Sequence, residues 1–205
     1  MATTLTKKPL YFVTDNPGKV NEAKKLFHSN TYELVHYKLD LPEYQEKTSE
    51  EIALKKCLEA ECSLPENIYP FFIEDTGLHF NCLNGLPGPY IKWFMKGIGN
   101  DGLVKLTEPF TDKTCYAQCV ITLKLNNKTQ PKSLIGRLDG TIVSARGTNG
   151  FGWDPIIEID SKAVAEVVGK PIEEVKPLTF GEMDLDTKNK FSHRFKAFKQ
   201  LSEIL

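Results

Sequence analysis

The stretch Phe72-Ile73-Glu74-Asp75-Thr76-Gly77-Leu78 decides how this chain is read. An apolar, strand-like run meets two adjacent carboxylates and then a glycine. Apolar strands are usually buried, so the run is expected to end where a buried sheet meets an opening, with Glu74 and Asp75 at the strand end. Two acids in such a place are costly unless a cation meets them. A hard divalent metal is one candidate. A plain solvated strand end is the other reading, and the better one for an acidic pair taken alone.

Working outward, Leu10-Tyr11-Phe12-Val13 reads as a buried first strand. It runs into Thr14-Asp15-Asn16-Pro17-Gly18-Lys19, a turn that opens a helix with Val20, Ala23 and Phe27 as its apolar stripe. Tyr32 to Tyr37 follows as a second strand, completing a strand–helix–strand unit. Thr48 and Glu51 form a capping box for a helix to about Cys62. Leu83 to Tyr90 is a Gly/Pro loop, and Ile91 to Met95 a helix. Thr114 to Leu125 and Ser133 to Ser144 are long strands joined by a turn, hence a hairpin. Gly147 to Pro155 is a second glycine-rich loop. Glu166 to Pro177 is charged and broken by Gly169 and two prolines, and reads as peripheral. Phe191 to Leu205 is a closing helix with Phe195, Phe198, Leu201 and Leu205 inward.

At 205 residues the chain fits one domain, 1–205. A formal charge of -1 argues against bulk electrostatic binding of nucleic acid, though not against a small basic pocket. No apolar run is long enough to span a bilayer. Met1 to Lys8 is short and polar, without a secretory signal pattern. The five cysteines are odd in number. Cys115 and Cys119 would share a strand face roughly 13 Å apart at ~3.3 Å per residue, too far for one zinc. A reduced, cytoplasmic protein is the simplest expectation.

Several motifs carry chemistry. Gly97-x-Gly99-x-x-Gly102 has the letters of a dinucleotide fingerprint but follows a Pro-rich turn rather than a strand, so a helix C-terminal turn is the better reading. Thr14-x-Asn16-x-x-Lys19 lies between strand and helix, where free backbone N–H groups favour an anion; ordinary turn chemistry is an equal alternative. Asp40, Glu43 and Glu46 are acids of which one could join Glu74 or Asp75 at a metal, because magnesium keeps waters and needs few protein carboxylates. Phe151 and Trp153 can stack a nucleobase or fold onto the core, and Asp154 can cap a turn. Ser192, His193 and Arg194 open the last helix. Ser192 reads as its N-cap, and a guanidinium at Arg194 matches the O6 and N7 acceptors of a purine.

Taken together, the chain from Leu10 to its C-terminus resembles the inosine triphosphate pyrophosphatase, or Ham1-like, family, in its eukaryotic form. The motifs are Thr14-x-Asn16-x-x-Lys19, Leu41-Pro42-Glu43, Glu74-Asp75-Thr76-Gly77-Leu78, Gly85 to Phe94, Phe151 to Pro155 and Ser192-His193-Arg194. Each is weak alone; six in this order are specific. The resemblance implies an α/β fold with an elongated, long twisted mixed β-sheet, flanking helices and two lobes around a central cleft, and a homodimer. It implies hydrolysis of ITP, dITP or XTP to the monophosphate and pyrophosphate, with Mg2+ required and Mn2+ a possible substitute. It assigns Thr14, Asn16 and Lys19 to the triphosphate, with Lys19 and Asp75 as catalytic residues. It assigns Glu43, Asp75 and Glu74 to the metal, Glu74 in support. Lys92, Phe151, Trp153, Asp154, Lys188, Ser192, His193 and Arg194 fall to substrate binding, with Phe151 stacking on the base.

Donors at His193 and Arg194 would donate to the C6 oxygen of hypoxanthine and be left unpaired against the amino group of adenine. Two departures stand out. Asp15 replaces the family's usual glycine and should repel a triphosphate unless it turns away or meets Lys19. The stretch from about Ala163 to Leu178 is longer than the pattern suggests. The alternatives are a pyrophosphatase for other modified nucleotides and a nucleotide-binding protein without turnover.

Overall fold

The computed structural model describes residues 6–205. The N-terminal reading of Met1 to Lys8 therefore lies largely outside the described residues. The chain opens with β1 (Lys8–Val13), α1 (Pro17–Leu26) and β2 (Tyr32–Tyr37). Next come α2 (Ser49–Ser63), β3 (Phe71–Phe80), β4 (Pro87–Gly88) and α3 (Ile91–Thr107). The hairpin is β5 (Thr114–Lys124) and β6 (Lys132–Ile142). The remainder is β7 (Ile157–Ile159), α4 (Ser161–Val168), β8 (Leu178–Thr179), α5 (Leu185–Lys188) and α6 (His193–Ile204). The strands form one mixed sheet in the order β2-β1-β3-β5-β6-β7-β8, with β4 also on β3. β2, β1 and β3 run parallel; the other pairings are antiparallel.

The acidic pair does not end its strand. β3 continues to Phe80, because β5 pairs with it at every position from Phe71↔Lys124 to Phe80↔Cys115. The opening lies on its other edge. There β1 pairs only at Phe71 and Phe72, and β4 only at Leu78 and His79. Residues 73–77 lack a strand neighbour on that side. β1 and β3 part company there, with α1 starting from the end of β1, and such a divergence in an α/β sheet leaves a crevice.

Core packing marks the same division. Phe72 packs with Leu10, Phe12, Val20 and Phe198, on the side of α1 and α6. Phe71 and Ile73 pack with Val13, Cys57 and Ala60, on the α2 side. Beyond the acids, Leu78 and Phe80 join a separate core with Leu103, Ile142, Ile157 and Phe180.

Local signals explain the helices. Asn16 caps α1, with Pro17 in the first turn. Thr48 and Glu51 form the capping box of α2. α3 departs from expectation: the Gly97-Gly99-Gly102 segment is not its end. Gly99 takes φ 64 and ψ -172, a kink, and the helix resumes so that Leu103 and Thr107 can be buried. Residues 168–174 are exposed, as expected for a peripheral stretch, but Val164 and Ala165 of α4 enter the core. In α6 the buried apolar residues are Ala197, Phe198 and Leu201, with Phe195 and Leu205 partly buried. Gly136 lets α6 lie against β6: a Cβ there would sit 1.9 Å from the His193 carbonyl oxygen and 2.6 Å from the Ala197 nitrogen. That close approach brings the start of α6 up to β3.

Candidate active site

The gap beside β3 opens into a cleft of about 310 Å³. Its walls include the β1–α1 turn (Thr14, Asn16, Lys19), Glu43, Lys56, Glu74 and Asp75. They also include Lys92 and Trp93 of α3, Phe151, Trp153 and Asp154 of the glycine-rich loop, and His193 and Arg194 of α6. Residues from six separated motifs thus face one cavity. Lys188 and Ser192 do not line it; they stand behind its wall.

Adjacent strand residues point to opposite faces, and this separates the two acids. Glu74 turns toward α6. Its Oε1 accepts from Arg194 Nη2 at 3.2 Å and from the Thr76 hydroxyl, with Lys19 Nζ 3.8 Å away. Burial alone would raise its pKa, but Arg194 and Lys19 hold it down to about 2. Its Oε2 is buried and has no partner. Asp75 turns toward α2, where Lys56 Nζ lies 3.2 Å from Oδ1. Burial pushes the Asp75 carboxyl above the ordinary carboxylate range, against the pull of Lys19 and Lys56. Lys56 also meets Glu43 at 2.7 Å, and Lys92 binds the other Glu43 oxygen. Burial would raise Glu43 too, yet its hydrogen bonds to Lys56 and Lys92 hold it at about 2.

Among the described residues no three of His, Cys, Asp or Glu converge as a ready cation cage. As they stand, Glu43, Glu74 and Asp75 are not drawn together into one cage, since neighbouring β3 side chains diverge and Lys56 and Lys92 hold Glu43. The donor set still fits magnesium. It is all hard oxygen, with Glu74 Oε2 orphaned, and one or two carboxylates suffice where phosphate and water supply the other ligands.

In the turn, the Lys19 backbone N–H donates to Asn16 Oδ1 and the Asn16 N–H to Thr14 Oγ1, both at 3.2 Å. Asn16 therefore caps the helix, and Thr14 closes the turn that precedes it. The Lys19 ammonium reaches across the gap to the Glu74 carbonyl at 2.8 Å. Asp15 is exposed at the cleft rim. No ion pair joins it to Lys19, which is turned to Glu74.

Phe151 is 44% exposed. Lys188 Nζ and Arg194 Cζ lie 5.2 and 5.7 Å from its ring centroid, within cation–π range. Asp154 is buried; its Oδ2 accepts from the Phe151 N–H and from Lys188 Nζ, both at 2.8 Å. Lys188 also reaches Glu22 at 3.0 Å, and Glu22 binds Arg194. The result is a buried chain of alternating charge, Asp154–Lys188–Glu22–Arg194–Glu74–Lys19. It spends both terminal nitrogens of Arg194, so the guanidinium fork expected to read a purine edge is already engaged. The unpartnered atoms are Arg194 Nε and both ring nitrogens of His193. Burial, then the charges of Arg194 and Lys188, push His193 well below its usual range and keep it neutral. Ser192 caps α6 through the Phe195 N–H.

Sequence reasoning missed Glu22 and Lys56. Neither residue belongs to any of the six motifs. A signal existed: Lys56 lies in the i, i+4 row Ile52–Lys56–Ala60, and Glu22 lies between Lys19 and Leu26 on one helical face.

The Ham1 family model matches residues 10–204. This chain belongs to the Ham1 family. Among Ham1 relatives, the inosine triphosphate pyrophosphatase of Mycosarcoma maydis is 40% identical over 204 residues, covering 98% of this chain and 96% of the relative. That of Ajellomyces capsulatus is 39% identical over 198 residues, covering 97% of each. The fold matches solved Ham1 proteins. The one from Coxiella burnetii has a TM-score of 0.72 at 26% identity, covering 96% of this chain and 97% of that one. The one from Staphylococcus aureus has a TM-score of 0.73 at 24% identity, with the same coverage.

Proposed function

We propose that this chain hydrolyses non-canonical purine nucleoside triphosphates, ITP, dITP and XTP, to the monophosphate and pyrophosphate. One observation carries the reading. The cleft joins an anion-receiving strand–helix turn, a buried carboxylate of raised pKa and an aromatic ring with an open flank. The names of the curated relatives supply the purine class.

In this reading Thr14, Asn16, Lys19 and Lys92 receive the phosphates, and Phe151 stacks on the base. A water attacks the phosphorus nearest the ribose and pyrophosphate leaves. Asp75 takes the water's proton. Its raised pKa suits a general base better than an ordinary surface carboxylate would. Glu74, Asp75 and Glu43 would hold Mg2+, with Mn2+ able to replace it. That ion would neutralise phosphate charge and orient the leaving group. Glu43 must first release Lys56 or Lys92. Asp154 in the wall, and Lys188 and Ser192 behind it, hold Phe151, Trp153 and the start of α6 in place.

The base is read at its C6 oxygen by the Arg194 Nε–H and the neutral His193 ring. Against adenine, the Arg194 Nε–H, which can only donate, stays buried and unpaired. We also propose a homodimer in the cytoplasm. Five free cysteines, three of them buried, support a reducing compartment. No helix among the described residues is long and apolar enough to cross a membrane.

The test is pyrophosphate release with magnesium and ITP, XTP, ATP, GTP or dTTP in turn. Release selective for ITP and XTP is expected. Tight ITP binding without release from any of them would overturn the enzymatic reading. Single phosphates as product would show that another bond is cut.

A further inference from the structure

The Gly97-x-Gly99-x-x-Gly102 motif has no part in the chemistry above, yet it sits against the site. Gly99 breaks α3 into two halves. The first lines the cleft through Ile91, Lys92, Trp93 and Met95. The second is anchored in the core by Leu103 and Thr107. Asn100 opens that anchored half, and its Nδ2 donates to the Gly152 carbonyl oxygen at 3.1 Å. Gly152 is the residue between Phe151 and Trp153.

Three details make this contact more than incidental. The amide can be oriented only one way, since the reverse would set Oδ1 against another acceptor; Oδ1 is buried and unpartnered instead. Gly99 and Gly152 both have φ of 64, where side chains are disfavoured, and a Cβ on either would meet nothing within 4 Å. Both glycines therefore serve backbone conformation rather than close packing. Finally, the tip of the loop is otherwise held from inside, by Asp154 through the Phe151 N–H and by the Asp154 N–H on the Phe151 carbonyl at 3.3 Å.

We propose that Asn100 is a positioning residue for the base-binding loop: from the rigid half of α3 it fixes the Gly152 carbonyl, and with it the orientation of Phe151 and Trp153. This rests on the reading of Phe151 as the base-stacking residue. Asn100 touches neither phosphate-binding nor proton-transferring groups, so its loss falls on base binding and not on the chemical step.

Two measurements on Asn100→Ala and Asn100→Asp, which removes the donor at nearly constant shape, test it. Hydrogen exchange of residues 150–154 is expected to quicken about three- to ten-fold in both, the factor that one uncharged hydrogen bond carries. KM for ITP is expected to rise by a similar factor, with kcat within about two-fold and the melting temperature nearly unchanged. Unchanged exchange would overturn the contact, whatever the enzyme does with ITP. Faster exchange with unchanged KM, or a fall in kcat alone, would overturn the positioning role. If the wild-type protein cleaves no ITP, the proposed activity fails separately. The dissociation constant for ITP, read from tryptophan fluorescence, then replaces KM, and an unchanged constant in both variants overturns the role.

Discussion

At the scale of single residues, Asp75 and its neighbour show how one peptide step divides two chemically similar groups. Glu74 is ionised and held by Arg194, whereas Asp75 is buried with a raised pKa beside one lysine. Asp75→Asn is expected to lower kcat by about 10²–10⁴, the usual weight of a general base, while circular dichroism and melting stay close to wild type. Unchanged turnover would remove Asp75 as base. Asp15 gives a second residue-scale expectation. It is an exposed acid at the mouth of a helix N-terminus where a triphosphate would bind, and no ion pair joins it to Lys19, which is turned to Glu74. Charge at such a position is worth about 0.3–1 kcal/mol at low salt. Asp15→Gly should therefore lower KM for ITP by about two- to five-fold, with the gain shrinking as salt is raised. A KM that is unchanged at low salt would mean that Asp15 points its charge into bulk water.

Among elements, the decisive contact is α6 on β6. Glycine at position 136 leaves no room for a Cβ between strand and helix, and what a Cβ would strike is helix backbone, which cannot rotate away. Gly136→Ala should then cost on the order of 1–3 kcal/mol or more by overpacking, seen as a lower urea midpoint. It should also disturb base recognition, since His193 and Arg194 begin that helix. A stable, fully active Gly136→Ala would show that α6 can slide outward freely. Elements whose signals are local were legible in the sequence: β1 from its apolar run, α2 from Thr48 and Glu51, the β5–β6 hairpin from two strands around a turn. β3 was misjudged because its acids are made tolerable by distant partners. Arg194 lies 120 residues away from Glu74 in the chain, and Lys56 19 residues from Asp75. No local pattern announces either. The second half of α3 was missed for the opposite reason: Gly99 is a strong stop signal, and the burial of Leu103 outweighed it. The candidate site was legible as separate motifs, and what the sequence withheld was which of their atoms are already spent on each other.

For the whole molecule, the buried chain Asp154–Lys188–Glu22–Arg194–Glu74–Lys19 ties the glycine-rich loop, α5, α1, α6 and β3 into one electrostatic unit. Its members balance, three acids against three bases. Removing one acid leaves buried cations uncompensated, a loss of about 3–5 kcal/mol. Glu22→Gln should therefore unfold at a clearly lower denaturant concentration than Asp15→Gly, which alters an equally acidic but exposed position. The same unit sets the response to pH. Glu74 has a folded pKa of about 2, below its ordinary value of 4.5, so its contribution is complete above pH 4.5 and is lost as pH falls toward 2. His193 acts earlier. Its folded pKa lies well below the ordinary value of 6.5, so the unfolded chain binds a proton that the folded chain refuses. The contribution of His193 should thus hold level above about pH 6.5 and decline below it, by up to about 1.4 kcal/mol per pH unit. The His193 ring packs beside Trp153 and Phe180 with both nitrogens unpartnered, which makes phenylalanine a reasonable substitute in shape. His193→Phe should flatten the decline between about pH 6.5 and 5 in denaturant titrations while leaving the steeper loss near the Glu74 titration in place. A variant whose stability falls as steeply as wild type over that interval would show that another group, and not His193, senses the first fall in pH.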